Sequence, residues 1–329
     1  MNVLEVRDLR VEYSTAQGPV PAVRGVDLDI AAGETLGLAG ESGCGKSTIA
    51  HSILRLLPDG TRVTGEVRLD GEDVLAMSFG RLRAVRWNEA AIVFQGAMHA
   101  LNPVQRLEDQ IAEAVRLHSP STGEREIGRR VADLIERVGL PARRGRDYPH
   151  ELSGGQRQRV MIAMALACEP SLLIADEPTT ALDVMVQAQV LSLVKTLQSE
   201  LGIALLFITH DLSVLAEVCD RIAVMYAGRM VEVGPAARVF GEPAHPYTRA
   251  LAAAFPQIGD PSDRRAPAGL GGDPPDPQRI PPGCPFHPRC PYRFEPCDRV
   301  DPPLLAAGPD RRAACLLYDP ALAPEGAPA

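Results

Sequence analysis

The sequence predicts an α/β fold in which crossover helices connect the strands of a parallel sheet. Up to about Gly234, short apolar runs rich in β-branched residues alternate with helical patterns. Three runs are clear strands that end at polar residues: 35–39, 171–175 and 204–209. An open parallel sheet binds ligands beyond the carboxyl ends of its strands. We therefore expect the functional residues at these strand ends.

A helical insert is predicted between the first two strands, and a hairpin after the third. The helix at 124–140 places five apolar residues on one face: Ile127, Val131, Leu134, Ile135 and Val138. Ser121, with Glu124 three residues later, predicts a capping box at its start. Residues 225–234 predict a hairpin that turns at Ala227 and Gly228.

Bulk composition excludes several classes of protein. None of the apolar runs reaches the roughly 18 residues of a membrane-spanning helix, and residues 1–10 carry charges where a signal peptide is apolar. We therefore expect a cytoplasmic protein. The net charge of −8 repels phosphate backbones, so no nucleic-acid partner is expected. The sequence also has no internal repeat, which predicts one copy of the main domain.

The last quarter of the chain differs in composition, and we predict a division into domains 1–240 and 241–329. Residues 261–282 are rich in Pro, Gly and Asp, which indicates a linker or surface segment. Four of the seven cysteines follow: Cys284, Cys290, Cys297 and Cys315. In a reducing cytosol, clustered cysteines are more often metal ligands than disulfides. Four thiolates satisfy zinc or an iron–sulfur cluster, and free thiols are the alternative.

A glycine-rich loop is the most specific motif. It comprises Gly40, Glu41, Ser42, Gly43, Cys44, Gly45, Lys46, Ser47 and Thr48. Glycines let backbone N–H groups converge on phosphate oxygens, and the N-terminus of the following helix favours an anion. Lys46 is positioned to reach the terminal phosphates, and the Ser47 hydroxyl can bind magnesium. This motif predicts a binding site for a nucleoside triphosphate.

Two further motifs carry phosphate chemistry. The strand before Asp176 delivers that carboxylate as a magnesium partner, and Glu177 can polarise an attacking water. Ser153, Gly154 and Gly155 precede a helix predicted at 156–167, which gives a second anion-binding N-terminus.

The segment 152–159, with Ser153, Gly154, Gly155 and Gln156, resembles the signature sequence of ATP-binding-cassette (ABC) transporter ATPases. The resemblance implies a P-loop NTPase fold with a RecA-like core, an antiparallel β subdomain and a helical subdomain at about 97–165. It also implies that two subunits pack head to tail. The signature of one subunit then acts in trans on the ATP held by the phosphate loop of the other.

Other residues match this family in order. Tyr13 resembles the aromatic residue that stacks on adenine, and Gln95 the glutamine that senses magnesium and the γ-phosphate. Asp183 resembles a residue that helps to link the two sites in trans, although an ordinary helix cap is its alternative. His210 resembles the switch histidine that contacts the γ-phosphate.

Taken together, these residues predict a hydrolytically competent site. Ser47, Gln95 and Asp176 are the expected magnesium partners. In the expected reaction, Glu177 and His210 orient water for in-line attack on the γ-phosphorus, while magnesium and Lys46 neutralise charge.

The predicted second domain, residues 241–329, is called the tail. Its residues 245–251 and 283–297 resemble the C-terminal extension of oligopeptide and dipeptide importer ATPases. The resemblance implies peptide import, although sister subunits serve nickel or oligosaccharides. Residues 94–103 depart from the usual peptide-importer wording. Among the alternatives for Cys284, Cys290, Cys297 and Cys315, the resemblance favours a [4Fe–4S] cluster over zinc or free thiols.

The implied partners are a second, related ATPase subunit, two transmembrane permease subunits and an extracytoplasmic solute-binding protein. The chain would then lie at the cytoplasmic face of the membrane. The competing class is a soluble ABC ATPase of translation or DNA repair. Those proteins carry two cassettes or long coiled-coil insertions, and this sequence has neither.

Overall fold

The computed structural model describes residues 1–94, 96, 100–180, 182–254 and 271–324. These fall into two compact units. Unit 1 comprises Met1–Leu4, Ile30–Glu34 and Arg68–Ile208, and unit 2 comprises Glu5–Asp29, Thr35–Val67 and Thr209–Ala329. Three strands, β1 (Asn2–Thr15), β2 (Gly18–Ala31) and β4 (Arg62–Leu69), have residues in both units. Within the described ranges, no helix is long and apolar enough to cross a membrane.

Unit 1 contains a run of three parallel strands: β6 (Ala90–Val93), β7 (Leu172–Asp176) and β8 (Ala204–Ile208). Every residue of β7 and β8 is buried, which explains why both read as unbroken apolar runs. The strands predicted at 171–175 and 204–209 are confirmed within one residue at each end.

The helices of unit 1 are α2 (Phe79–Val85), α3 (Leu107–His118), α4 (Glu124–Arg137), α5 (Gly154–Ala165) and α6 (Val184–Leu201). The short strand β5 (Glu72–Asp73) pairs with the end of β4. Short 3-10 turns at Ala142–Arg146 and Pro149–Glu151 connect α4 to α5.

Helix α4 confirms the predicted apolar face but not the predicted cap. All five predicted residues of that face are buried. Gly123 is the N-cap, however, and makes no side-chain cap hydrogen bond. Ser121 lies too far upstream to cap the helix, so the capping-box prediction is wrong. Glu124 instead accepts two hydrogen bonds from Arg116, at 2.7 and 2.9 Å.

Unit 2 contains β3 (Thr35–Ala39), which runs parallel to β9 (Arg221–Tyr226). Strand β10 (Arg229–Pro235) pairs antiparallel with β9. The two residues between β9 and β10, Ala227 and Gly228, both have positive φ, at 47° and 80°. This two-residue turn confirms the predicted hairpin. Helices α1 (Lys46–Ile53), α7 (Leu212–Val218), α8 (Ala236–Gly241) and α9 (Pro246–Ala254) complete this part.

The tail attaches to β10 and to the end of β9. Strand β12 (Arg312–Ala313) pairs with β10 and with β11 (Leu305–Ala306). A 3-10 turn at His287–Arg289 lies among the cysteines, and a second follows at Leu316–Tyr318. The rings of Tyr247 and Phe286 are buried against Tyr226 of β9. Two aromatic side chains of the tail are therefore buried against the hairpin of unit 2. The predicted division at residue 240 stays a prediction.

Candidate functional site

The phosphate loop follows β3 directly and ends at α1, as the sequence predicts. Gly45 is the N-cap of α1, with φ 107°, and makes no side-chain cap hydrogen bond. Lys46 is the first helical residue and is only 5% exposed. Its ammonium group donates to the carbonyl oxygens of Gly40 at 2.7 Å and Glu41 at 3.0 Å. The loop thus holds the cation over its own backbone, beside a helix N-terminus that favours anions.

Two glycines of the loop are required by close backbone contacts. A Cβ atom on Gly40 would lie 2.4 Å from the carbonyl oxygen of Met225. A Cβ atom on Gly45 would lie 2.4 Å from the carbonyl oxygen of Ala22. Both glycines also have positive φ. The sequence motif therefore fixes the position of the loop on β9 and β2 as well as its conformation.

Tyr13 lies beside the start of α1, whereas Cys44 is buried within the phosphate loop. The Tyr13 hydroxyl lies 3.1 Å from the Thr48 hydroxyl, which sets the ring beside the first turn of α1. Cys44 is buried, and burial raises the pKa of its thiol. A thiol held protonated in this way is neither a good nucleophile nor a good metal ligand, so Cys44 contributes packing and backbone to the loop. The loop carbonyl of Cys44 accepts from Gly228 N at 3.0 Å.

The predicted signature segment lies in unit 1 at the start of α5. Ser153 is the N-cap and accepts from Gln156 N at 3.3 Å, while Gln156 Oε1 accepts from Ser153 N at 3.0 Å. This reciprocal pair is a capping box. A Cβ atom on Gly155 would lie 2.3 Å from a methyl carbon of Val186 in α6. The helix begins at Gly154, two residues earlier than predicted.

The two predicted carboxylates lie at the end of β7, also in unit 1. Asp176 is the last residue of the strand and is 2% exposed. Glu177 follows with φ 46° and donates its backbone N–H to Ile208 O at 2.9 Å. Its Oε2 atom accepts from Thr180 Oγ1 at 2.9 Å. A non-glycine residue in this left-handed conformation costs about 1–3 kcal/mol, and such strain concentrates at functional sites.

The remaining predicted residues are divided between the units. Asp183 is the N-cap of α6 and accepts from Val186 N at 3.0 Å, and its predicted role in trans stays a prediction. His210 is exposed at the end of the β8 run, just before α7, and belongs to unit 2. Gln95 lies outside the described residues. Tyr13 and the phosphate loop are also in unit 2, whereas the signature and both carboxylates are in unit 1.

The four tail cysteines border one cavity of about 20 Å³, together with His287 and several aromatic side chains. None of the seven cysteines is in a disulfide. Burial raises the pKa of Cys284 to about 11 and that of Cys315 to about 12, and the neighbouring thiols add to both shifts. Burial raises the pKa of Cys290 as well. The thiols of Cys284, Cys290 and Cys315 are therefore protonated at neutral pH.

This cysteine group does not meet the geometry of a metal site. Within the described ranges, no group of three or more His, Cys, Asp or Glu side chains could hold a metal ion. Side chains can line the same cavity while their sulfur atoms stay far apart. Metal binding instead requires that the sulfur atoms all lie about 2.3 Å from one ion. The structure therefore gives no support to the predicted [4Fe–4S] cluster or to the zinc alternative.

Sequence reasoning did not assign Tyr247 and Arg289 to the phosphate loop. Tyr247 accepts from Glu41 N, and Arg289 pairs with the Glu41 carboxylate. Both residues lie in the tail segments 245–251 and 283–297. Nothing in those segments indicates a contact with a loop more than 200 positions away.

Comparison with known proteins decides the family. The ABC transporter family model matches residues 23–180. The model for the C-terminal region of oligopeptide/dipeptide transporters matches residues 231–297. A putative peptide import ATP-binding protein of Brucella abortus is 48% identical over 309 residues, which cover 93% of this chain and 92% of that protein. The chain belongs to the ABC transporter family of ATPases.

Other relatives of this ABC ATPase agree. The oligopeptide transport ATP-binding protein OppD of Salmonella typhimurium is 45% identical, over 95% of this chain and 93% of that protein. Among solved structures, the dimeric bacterial ABC transporter cassette MJ0796 matches with a TM-score of 0.64 and 28% identity, over 71% of this chain and 98% of the cassette. The predicted family and the predicted ABC ATPase fold are confirmed.

Proposed function

We propose that this ABC ATPase hydrolyses ATP to power the import of oligopeptides or dipeptides through a separate membrane permease. The observation that carries this proposal is the tail. The match to the C-terminal region of oligopeptide/dipeptide transporters lies outside the nucleotide-binding motifs, so it separates this branch from other ABC ATPases. Relatives named for peptide, oligopeptide and dipeptide transport align along nearly the whole chain.

In the proposed site, the phosphate loop binds the ATP phosphates through its backbone N–H groups and Lys46. Tyr13 stacks on adenine. The signature residues Ser153, Gly154, Gly155 and Gln156, with Asp183, act on the ATP of the partner subunit. This assignment is supported in unit 2 by the buried Lys46 at the N-terminus of α1 and in unit 1 by the capped N-terminus of α5.

Hydrolysis requires a base and an electrostatic environment for the transferring phosphoryl group. We assign Glu177 to polarise the attacking water, and Glu177 and His210 to orient it. His210 also contacts the γ-phosphate. The water oxygen forms a bond to the γ-phosphorus as the bond to the bridging oxygen of ADP breaks, and Glu177 receives the proton. Magnesium, when bound, supplies charge neutralisation. The donors assigned to it, Ser47, Gln95 and Asp176, carry the oxygen ligands that this ion prefers.

The proposed assembly contains a second, related ATPase subunit, two permease subunits and an extracytoplasmic solute-binding protein. Dimeric cassettes among the solved relatives support the second ATPase subunit. In this assembly the chain lies at the cytoplasmic face of the membrane. It does not touch the transported peptide, so its own residues do not select the cargo.

Purification of the chain with its membrane and solute-binding partners tests the proposal. The reconstituted complex is assayed for ATPase activity with peptides, oligosaccharides or nickel presented by the binding protein. Stimulation by peptides alone is the expected result. Stimulation by oligosaccharides or nickel instead would mean that the complex imports that solute and not peptides. Robust activity without a membrane partner or any solute response would support the soluble class.

The tail cysteines form the second part of the proposal. The [4Fe–4S] cluster rests on the tail resemblance alone. Iron and sulfide analysis of anaerobically purified protein tests it, with Cys284→Ser as the variant and Cys168→Ser, outside the group, as the control. A sample that lacks iron and broad visible absorption would remove the cluster. Zinc content would then separate the zinc alternative from free thiols.

A further inference from the structure

The tail contacts the phosphate loop at Glu41. Arg289 donates from Nη1 to Glu41 Oε2 at 2.8 Å and from Nη2 to Glu41 Oε1 at 2.9 Å. The hydroxyl of Tyr247 accepts from Glu41 N at 2.8 Å. Both partners belong to the tail, and all three residues are in unit 2. Glu41 of the loop therefore forms three hydrogen bonds with the tail, which contains none of the nucleotide-binding motifs.

These bonds hold the residue that positions the phosphate-binding lysine. The backbone N–H of Glu41 is committed to Tyr247 and its carboxylate to Arg289. Its carbonyl oxygen accepts from Lys46 Nζ at 3.0 Å. The same carbonyl also accepts from Cys44 N at 3.3 Å. All polar groups of Glu41 are thus engaged, two by the tail and one within the loop itself. A shift of Glu41 would move one of the two carbonyl groups that hold the Lys46 ammonium.

On the tail side, Arg289 and Tyr247 make further contacts of their own. The Arg289 side chain is only 7% exposed, and it also donates to Gly271 O at 3.0 Å and to Tyr226 Oη at 3.2 Å. The ring of Tyr247 packs against Tyr226, at a centroid distance of 4.6 Å, and against Phe286, at 5.5 Å. Because both side chains are fixed by their own neighbours, they can fix Glu41 in turn.

We propose that Arg289 and Tyr247 are positioning residues of the ATP site, which hold the phosphate loop through Glu41 in the arrangement that presents Lys46. This inference rests on the proposed ATP site. It gives the tail a role in nucleotide binding in addition to its attachment to β10. Attachment alone does not need this contact, because the pairing of β10 with β12 and the buried aromatic rings already join the tail to unit 2.

The test measures ATP binding and turnover of the full chain. Arg289→Gln is expected to raise the KM and the Kd for Mg-ATP roughly tenfold, the change that about 1.4 kcal/mol produces, with kcat nearly unchanged. Glu41→Gln should have a similar effect, and the double variant should be no worse than the weaker-binding single variant. Arg289→Lys keeps the charge but loses the bidentate geometry, so it should recover part of the affinity.

The matched control is Arg299→Gln, which removes an arginine of the same tail whose pair with Glu295 is exposed, with side chains 69% and 83% accessible. It should leave nucleotide binding unchanged. Thermal unfolding of each variant separates a loss of binding from a loss of folding.

Tyr247→Phe keeps the ring and removes only the acceptor for Glu41 N. It should raise the Kd roughly fivefold, as loss of one buried hydrogen bond of about 1 kcal/mol implies. This variant keeps the inference testable if Arg289→Gln does not fold.

Lys46→Ala separates the inference from the proposed function. If it abolishes ATP binding while Arg289→Gln and Tyr247→Phe bind ATP as the wild type does, the ATP site stands and the positioning role is wrong. Additive effects of Glu41→Gln and Arg289→Gln would also overturn the inference. If Lys46→Ala binds ATP normally, the proposed site is wrong and the inference falls with it.

Discussion

Replacement of Gly40 by alanine tests whether the phosphate loop depends on its contact with β9. The new Cβ atom would lie 2.4 Å from the carbonyl oxygen of Met225 and 2.7 Å from the Cys44 sulfur, whereas real Cβ contacts stay beyond 3.0 Å. The backbone must therefore move, which costs about 1–3 kcal/mol in a packed interior. Positive φ at Gly40, 149°, adds strain of about 1–3 kcal/mol for any other residue.

Gly60→Ala is the matched control, because Gly60 also has positive φ, 81°, but an added Cβ would meet nothing within 4 Å. Both variants place alanine at positive φ, and only Gly40→Ala also has the steric overlap. Urea denaturation should therefore show Gly40→Ala to be less stable than Gly60→Ala by about 1–3 kcal/mol. In Gly40→Ala the Kd for ATP should also rise, because the Gly40 carbonyl is one of the two that hold Lys46.

Equal losses of stability in the two alanine variants would refute this reasoning. The close approach of the loop to Met225 would then impose no constraint, and the glycine would serve backbone conformation alone. A stability difference without any change in ATP affinity would separate the packing of the loop from its binding role.

Three further predictions concern other parts of the structure. Glu177→Gln should retain ATP binding but lose turnover by about 10²–10⁴-fold in a single-turnover assay, because the general base is removed, and wild-type turnover would exclude the residue from that role. Glu232→Ala should lower the free energy of unfolding by about 2–5 kcal/mol, since the buried carboxylate accepts from Ala244 N at 2.9 Å and His245 N at 2.8 Å; an unchanged urea midpoint would contradict this. Phe207→Ala, in the buried strand β8, should lower the free energy of unfolding by about 3–5 kcal/mol. Phe79→Ala, at a side chain that is 68% exposed, should lower it by less than about 0.5 kcal/mol. Similar losses in the two variants would argue against the burial of β8.

Several elements could be predicted because their signals are local. The phosphate loop, the strands at β3, β7 and β8 and the hairpin turn each depend on a run of neighbouring residues. Short apolar runs identify buried strands, and Ala227-Gly228 is compatible with the positive φ that a two-residue turn requires. The apolar face of α4 was equally clear, since its spacing follows the helical period.

The start of α4 shows where local reasoning fails. Ser121 and Glu124 have the spacing of a capping box, but the helix begins at Glu124 with Gly123 as its N-cap. The Glu124 carboxylate pairs with Arg116 of the preceding helix instead. A short polar motif offers several nearly equivalent starts, and a contact with another element selects among them.

By itself, the sequence determined the family, the phosphate loop and the residue types available for ATP hydrolysis, because each is encoded by contiguous residues whose chemistry does not depend on distant parts of the chain. Only the tertiary structure decided which residues support the loop. Glu41 and Arg289 are separated by 248 positions, yet they form a bidentate ion pair. No local periodicity or motif reports such a pair, because the packing of Tyr226, Tyr247 and Phe286 is what brings the two side chains together.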